Sequence, residues 1–505
     1  MVAATLRRRR RRRRGPSNNN PFAYRLPPEI LATVASHLDE KSLVIATHVC
    51  LHWRSVLISS PRLWSHLSFG NEERGLEFLK RSKAAPVSVD LDLSVGKTLG
   101  WKARGELKEN TNKFAALRAV RVPFLGDLLT QPFPILKDLE VITYALSFTR
   151  SLATANLGLL KNFHLQLDLP WTPTLRPRGI LLDFLRGCPL LEVFFLSYSD
   201  RTTNIDESFA TNGGSTEVVS LPCLRSFTQE SRSQLADICL FNRLCLPSDC
   251  DIAFTIATDP SGRINDLWKA GFPTPIRDRS TGVEIVRVSC HDQNESSSKL
   301  KATFSNFNNT AKISFSIRTA PATYTLFVEE IERFLDFLAD SEMARTVKLL
   351  IFENCPTASS ARFIEIPGLT RSMLKLLGLK TLVLWQCGLV HLLDNSKYRS
   401  PGVWCEHVEK LVVCPPPAKN GREPTESEVL GWMRDIAVSR KHMIPLKAVV
   451  FYSQEEEKLP HGVIGELRGC VGSVEVIGPA VWRSEYNQHG RDAVRACSSS
   501  LFPHF

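Results

Sequence analysis

One apolar motif returns along this chain and constrains its fold more than any other feature. It reads apolar, two variable residues, apolar, one variable residue, apolar, and it occurs ten times. The early copies are Leu117/Val120/Val122, Leu136/Leu139/Val141, Leu160/Phe163/Leu165 and Leu191/Phe194/Leu196. The later ones are Val283/Val286/Val288, Val347/Leu350/Phe352, Leu379/Leu382/Leu384, Val408/Leu411/Val413, Leu446/Val449/Phe451 and Val471/Val474/Val476, and a partial copy ends at Phe227. The last two positions of a copy lie two residues apart and so point to one face of a short strand. Neighbouring copies are mostly separated by 19 to 38 residues, enough for a strand, a turn and a helix. One such unit cannot bury its own apolar face, but a stack of them can. The expected class is α/β, an irregular solenoid behind a small helical unit.

Helical segments stand between the copies. Phe327, Ile331, Phe334, Leu335 and Leu338 form one stripe. Val429, Met433 and Ile436 form another, opened by the capping-box pair Thr425 and Glu428 and followed by basic Arg440 and Lys441. "VSVDLDL", Val87 to Leu93, alternates as a half-buried strand does. Residues 198–216, 258–282, 289–310 and 415–425 read as polar or proline-rich loops. The stretch 231–320 is the least regular, and the pattern leaves open whether the array runs through it.

The net charge of +11 resembles a nucleic-acid signature until it is located. Eight of the charges are Arg7 to Arg14, which leaves +3 over the other 497 residues. A basic tail on a nearly neutral body does not describe a nucleic-acid enzyme. The run has three readings: a nuclear import signal, an arm touching nucleic-acid phosphates, or an inert solvated tail. Thirteen scattered cysteines, with no signal peptide, suggest reduced and mostly buried thiols in an intracellular protein, cytoplasmic or nuclear. No apolar run is long enough to span a bilayer, so no membrane partner is expected.

Residues 26 to 67 form the most specific stretch. Pro28 suits the first turn of a helix, and Ile30, Leu31, Val34 and Leu38 follow as an apolar stripe. Asp39 to Lys41 restart a short segment with Leu43, Ile45 and Ala46, and a third carries Val49, Cys50, Trp53, Val56 and Leu57. About forty residues hold more large apolar side chains than so small a unit can hide, which argues for a standing partner.

"LPPEILATVASHLDEKSLVIATHVCLHWRSVLISSPRLWSHLSF" closely resembles the F-box, of the kind found in large fungal sets with loose leucine-rich-like repeats. The resemblance rests on Leu26-Pro27, Glu29-Ile30-Leu31, Val34, Leu38, Asp39, Leu43, Val49-Cys50, Trp53-Arg54, Pro61 and Leu63-Trp64, in order and without a gap. His48 is a mild departure. The resemblance implies docking on the Skp adaptor of a cullin-RING ubiquitin ligase, with the repeats receiving a protein client. It assigns Leu26, Pro27, Ile30, Leu31, Val34, Leu38, Leu43, Val49, Cys50 and Trp53 to the adaptor-binding surface or its support, without separating the two. The expected order is an Arg-rich tail at 1–24, the F-box at 25–69, repeat-like regions at 70–230 and 321–485 around the irregular 231–320, and a tail at 486–505.

No cofactor, metal or catalytic site is expected. Gly96-Lys97-Thr98 lacks the glycine that a phosphate loop needs five positions earlier, where Leu91 sits. Cys239, Cys245 and Cys250, and separately Cys405, His407 and Cys414, lack the close-pair spacing of zinc sites. What the F-box resemblance implies is a non-catalytic substrate receptor. The alternatives are an adaptor-binding protein outside a ligase, or a nuclear nucleic-acid-associated factor led by its arginines.

Overall fold

Proline opens the first helix, α1 (Pro28–Ala35), where its missing N–H leaves no hydrogen bond unmade. Asp39 caps α2 (Glu40–Ala46) by accepting the Ser42 backbone N–H at 2.6 Å. Cys50 caps α3 (Leu51–Ser59), its sulfur accepting the Trp53 N–H at 3.4 Å. In this computed structural model the described residues are 26–93, 98–143, 157–167, 177–198, 218–231, 243–257, 283–294, 297–305, 312–319, 324–353, 372–386, 407–415, 425–441, 445–453 and 461–478. The chain divides into two compact units, the first running to Val141 with a short return at 154–157 and the second comprising the rest.

In the first unit, a 3-10 turn at Pro61–Trp64 leads from α3 into β1 (His66–Ser68). Then come α4 (Glu72–Ser82), β2 (Val87–Asp92), α5 (Trp101–Glu109), β3 (Phe114–Val120), α6 (Leu125–Leu129) and β4 (Asp138–Thr143), whose residues through Val141 belong here. β1, β2 and β3 are parallel neighbours, with β4 next in the sheet. β2 alternates buried and half-buried side chains, as the alternation of "VSVDLDL" predicts. Fully buried Trp64 joins the helical block to this sheet layer: its indole N–H donates to the Leu57 carbonyl at 2.8 Å, and its ring meets Phe78 of α4 edge-on at 4.8 Å. Glu40 of α2 accepts the Ser68 backbone N–H at 3.2 Å and faces Arg74 of α4 at 3.7 Å. Gly75 lets α4 approach closely, because a Cβ there would meet the Phe69 ring at 2.9 Å.

The first copy of the motif is out of register. β3 ends at Val120, so Val120 and Val122 do not share a strand face. The buried residues that pair across β2 are Leu117 and Ala119, against Val89 and Leu91. The true copy is Phe114/Leu117/Ala119, three residues earlier, where a small alanine hides the pattern from a count of large apolar residues.

The second unit holds β5 (Asn162–Leu167), α7 (Pro177–Arg186), β6 (Val193–Tyr198), β7 (Val219–Ser220), β8 (Ser226–Ser231), β9 (Leu244–Cys245) and β10 (Asp251–Ala257). It continues with β11 (Ile285–Asn294), β12 (Ser297–Ser305), β13 (Lys312–Thr319), α8 (Tyr324–Asp340), α9 (Met343–Thr346), β14 (Leu349–Glu353), β15 (Thr381–Trp385) and β16 (Lys410–Cys414). Last come α10 (Glu426–Arg440), β17 (Ala448–Tyr452), α11 (His461–Cys470) and β18 (Ser473–Ile477). The main sheet of this unit runs β5-β6-β8-β10-β13-β12-β11-β14-β15-β16-β17-β18, and β18 is an open edge, so the sheet is not closed. All pairings are parallel except β13-β12 and β12-β11. β7 and β9 pair separately.

Here the motif acts as a register device. Its middle positions, joined by Ile252, Ile313 and Phe304 from strands without a copy, form one row from Phe163 through Phe194, Phe227, Ile252, Ile313, Phe304, Val286, Leu350, Leu382, Leu411 and Val449 to Val474. In α10 and α11, Val429, Leu430, Met433, Ile436 and Leu467 are buried. The capping box at Thr425 and Glu428 is present. In α8, Ile331, Phe334, Leu335 and Leu338 are buried; the Phe327 side chain lies outside the described residues.

One further expectation needs correction. Residues 289–310 were expected to form a loop, but most of them belong to the antiparallel hairpin β11-β12, whose mixed polar alternation hid the strands. Of the seven cysteines whose burial is described, Cys188, Cys250 and Cys414 are buried, Cys50 and Cys470 are half-buried, and Cys223 and Cys245 are exposed. Burial pushes the Cys188 thiol up to about 12, which keeps it protonated and unreactive. The expected loops at 198–216, 258–282 and 415–425 fall almost wholly outside the described residues, as do Arg7–Arg14, Cys239 and Cys405.

Candidate protein-docking site

The three short helices divide their apolar residues between two sides. Leu31, Ala35, Leu43, Ala46, Val56, Leu57 and Trp64 are buried and hold the block together. Ile30 and Val34 stand outward on α1 at i and i+4, and Leu38, in the turn that follows it, is exposed as well. Ile45 is 67% exposed, Val49 56% and Leu51 81%, and Ile58 is also exposed. Of the fourteen large apolar side chains that the described residues expose, seven lie between Ile30 and Ile58. Single exposed apolar residues are ordinary, but such a concentration on one small unit marks an interaction surface.

The ten residues singled out from the sequence thus separate. Ile30, Val34, Leu38, Val49 and Pro27 face solvent, Leu31 and Leu43 are core, and Leu26, Cys50 and Trp53 are half-buried between the two. Ile45 and Leu51, the most exposed of the set, were absent from that selection. Their signal was in the sequence: each is a large apolar residue out of step with the buried stripe of its own helix.

Polar side chains fix the geometry. His52 of α3 lies 3.3 Å from the Leu26 carbonyl and ties the chain entry to the third helix. Arg54 Nε donates to the Thr47 carbonyl at 3.0 Å, and its Nη2 lies 3.0 Å from His48 Nδ1. At Asp39, the Ser42 backbone N–H, helped by the Ser42 hydroxyl, holds the carboxyl below the usual aspartate range, against a small opposing effect of burial. The cap is therefore charged, and strongest, at neutral pH.

Residues 23–70 match a protein-family model described as F-box-like. The chain carries an F-box. The match covers the whole helical block and under a tenth of the chain, and no curated protein matches the chain at a significant level. An F-box-like domain suggests a role in binding the Skp adaptor, and proteins that carry one are in general non-catalytic adaptors. The family match ends at residue 70 and does not confirm the later strands as leucine-rich repeats; that likeness rests on their pattern and parallel pairing. Among the described residues no three His, Cys, Asp or Glu side chains gather as a metal site, and no helix is long and apolar enough to cross a membrane.

Proposed function

We propose that this protein is the substrate-recognition subunit of a Skp–cullin–F-box ubiquitin ligase, acting without chemistry of its own. The observation that carries the reading is the outward apolar set of the F-box, Ile30, Val34, Leu38, Ile45, Val49 and Leu51, on a block whose core is already filled. Burying each of these against the Skp adaptor contributes about 1.5–3 kcal/mol at full burial, before the costs of association. The strand array, which we read as leucine-rich-repeat-like, supplies the surface for a protein client. Its mechanism is proximity: a client held near a charged ubiquitin-conjugating enzyme reacts at raised effective concentration. The working compartment on this reading is the cytoplasm, the nucleus or both.

The test is co-purification of the full-length protein with the Skp adaptor and cullin. Wild type brings down both, and the Val49→Ser/Leu51→Ser double variant brings down neither. Adaptor without cullin would place the protein outside a ligase. Retention of the adaptor by the double variant would remove the docking assignment.

A further inference from the structure

The corner between α2 and α3 carries two of the most outward apolar side chains, Val49 and Leu51, on a backbone that belongs to neither helix interior. A corner of this kind keeps a fixed shape only if its polar groups are tied down. The Thr47 N–H is satisfied within the end of α2, by the Leu43 and Val44 carbonyls, and the Val49 N–H donates to the Ala46 carbonyl at 3.2 Å. The Thr47 carbonyl is reached from outside the corner, by Arg54 Nε at 3.0 Å. The same guanidinium places Nη2 3.0 Å from His48 Nδ1. A guanidinium has donors only, so Nδ1 accepts and the ring proton sits on Nε2. One side chain from α3 thereby grips two consecutive residues of the corner, directly ahead of Val49.

We infer that Arg54 and His48 are positioning residues for adaptor docking: their clasp holds the corner so that Val49 and Leu51 project together. The inference rests on the docking reading above. Arg54 suits the task because its planar fork bonds a carbonyl and a ring nitrogen at once. A lysine at the same place has a single ammonium and cannot bridge both points with the same geometry. His48, which departs from common F-box sequences, is the acceptor that completes the grip. Neither residue needs to touch the adaptor.

The experiment measures adaptor affinity and melting temperature for full-length variants side by side. Arg54→Lys and His48→Leu each weaken adaptor binding by about three- to tenfold, the effect of losing one charge-assisted hydrogen bond. Their melting temperatures stay close to wild type, because the buried core of Leu31, Leu43 and Leu57 is untouched. His48→Asn, which sets an amide oxygen where Nδ1 lies, recovers most of the affinity that His48→Leu loses. Wild-type affinity in both Arg54→Lys and His48→Leu overturns the inference, as does a His48→Asn variant no better than His48→Leu. Val49→Ser/Leu51→Ser serves as the reference. If that variant also binds normally, the docking reading has failed; if it alone loses binding, only the clasp has.

Discussion

Gln229 interrupts an apolar row. It is almost fully buried in β8, paired in register between Leu196 of β6 and Phe254 of β10, and neither its amide oxygen nor its nitrogen finds a hydrogen-bond partner. A buried amide left unmade costs about 1–3 kcal/mol, so Gln229→Met raises stability by an amount of that order. Chemical denaturation of the two proteins measures it, and a loss of stability would mean that the amide is paired after all. The F-box teaches the complementary lesson about single residues. Its identity was legible because Leu26-Pro27, Val49-Cys50 and Trp53 stand in fixed order, but helix α1 is apolar on two sides. Spacing alone could not say that Leu31 faces in while Ile30 and Val34 face out, a distinction that depends on which neighbour α1 packs against.

At the scale of elements, the motif marked most strands correctly because its parity follows the face that packs under the helices. It was blind to the other face. In β14 to β17 that face is apolar too: Ile351, Val383, Val412 and Val450 pair in sequence and belong to one buried cluster with Trp385 and Tyr452. It also missed the charges that precede the strands. Lys348 meets Glu284 at 2.6 Å, Lys380 meets Glu409 at 2.8 Å and Lys447 meets Glu409 at 2.5 Å, all from the residue that follows the first apolar position of a copy. Hydrogen bonds from Lys380 and then Lys447 hold the Glu409 carboxyl below the usual glutamate range, against a smaller effect of burial. A carboxyl lowered on folding contributes stability above its unfolded value and loses that contribution as acid titrates it through the folded value. Glu409→Gln is therefore less stable than wild type at neutral pH, by on the order of 1 kcal/mol or less for so accessible a group. The two converge only in acid, once the pH has fallen through that lowered folded value. Urea unfolding at pH 7 and at acid pH checks this; a gap that persists in acid would exclude the charge pair as its cause.

At the scale of the whole molecule, the F-box is part of the first compact unit rather than an appendage. Trp64 packs on Phe78, Glu40 bonds the backbone of β1, and β1 pairs with β2. Removing residues 26–67 strips off Trp64 and most of β1, leaving β2 an open edge over an uncovered Phe78. Limited proteolysis of that deletion cleaves residues 72–141 faster than in the intact protein, and equal protection would show that the F-box is energetically separable. Clients are for this reason better sought with surface variants than with the deletion. The irregular stretch 231–320 was opaque to sequence because its strands enter the sheet in reversed spatial order, β13 beside β10 and β11 beside β14. A linear repeat count has no means of registering such an exchange.

The central claim is that the outward apolar residues of the F-box, and not its core, dock the Skp adaptor. Calorimetric titration of the purified full-length protein with the adaptor, for wild type and for Ile45→Ala/Leu51→Ala, tests it most directly. Wild type is predicted to bind and the double variant to bind at least about tenfold more weakly with an unchanged melting temperature. Equal affinity of the two proteins would contradict the claim.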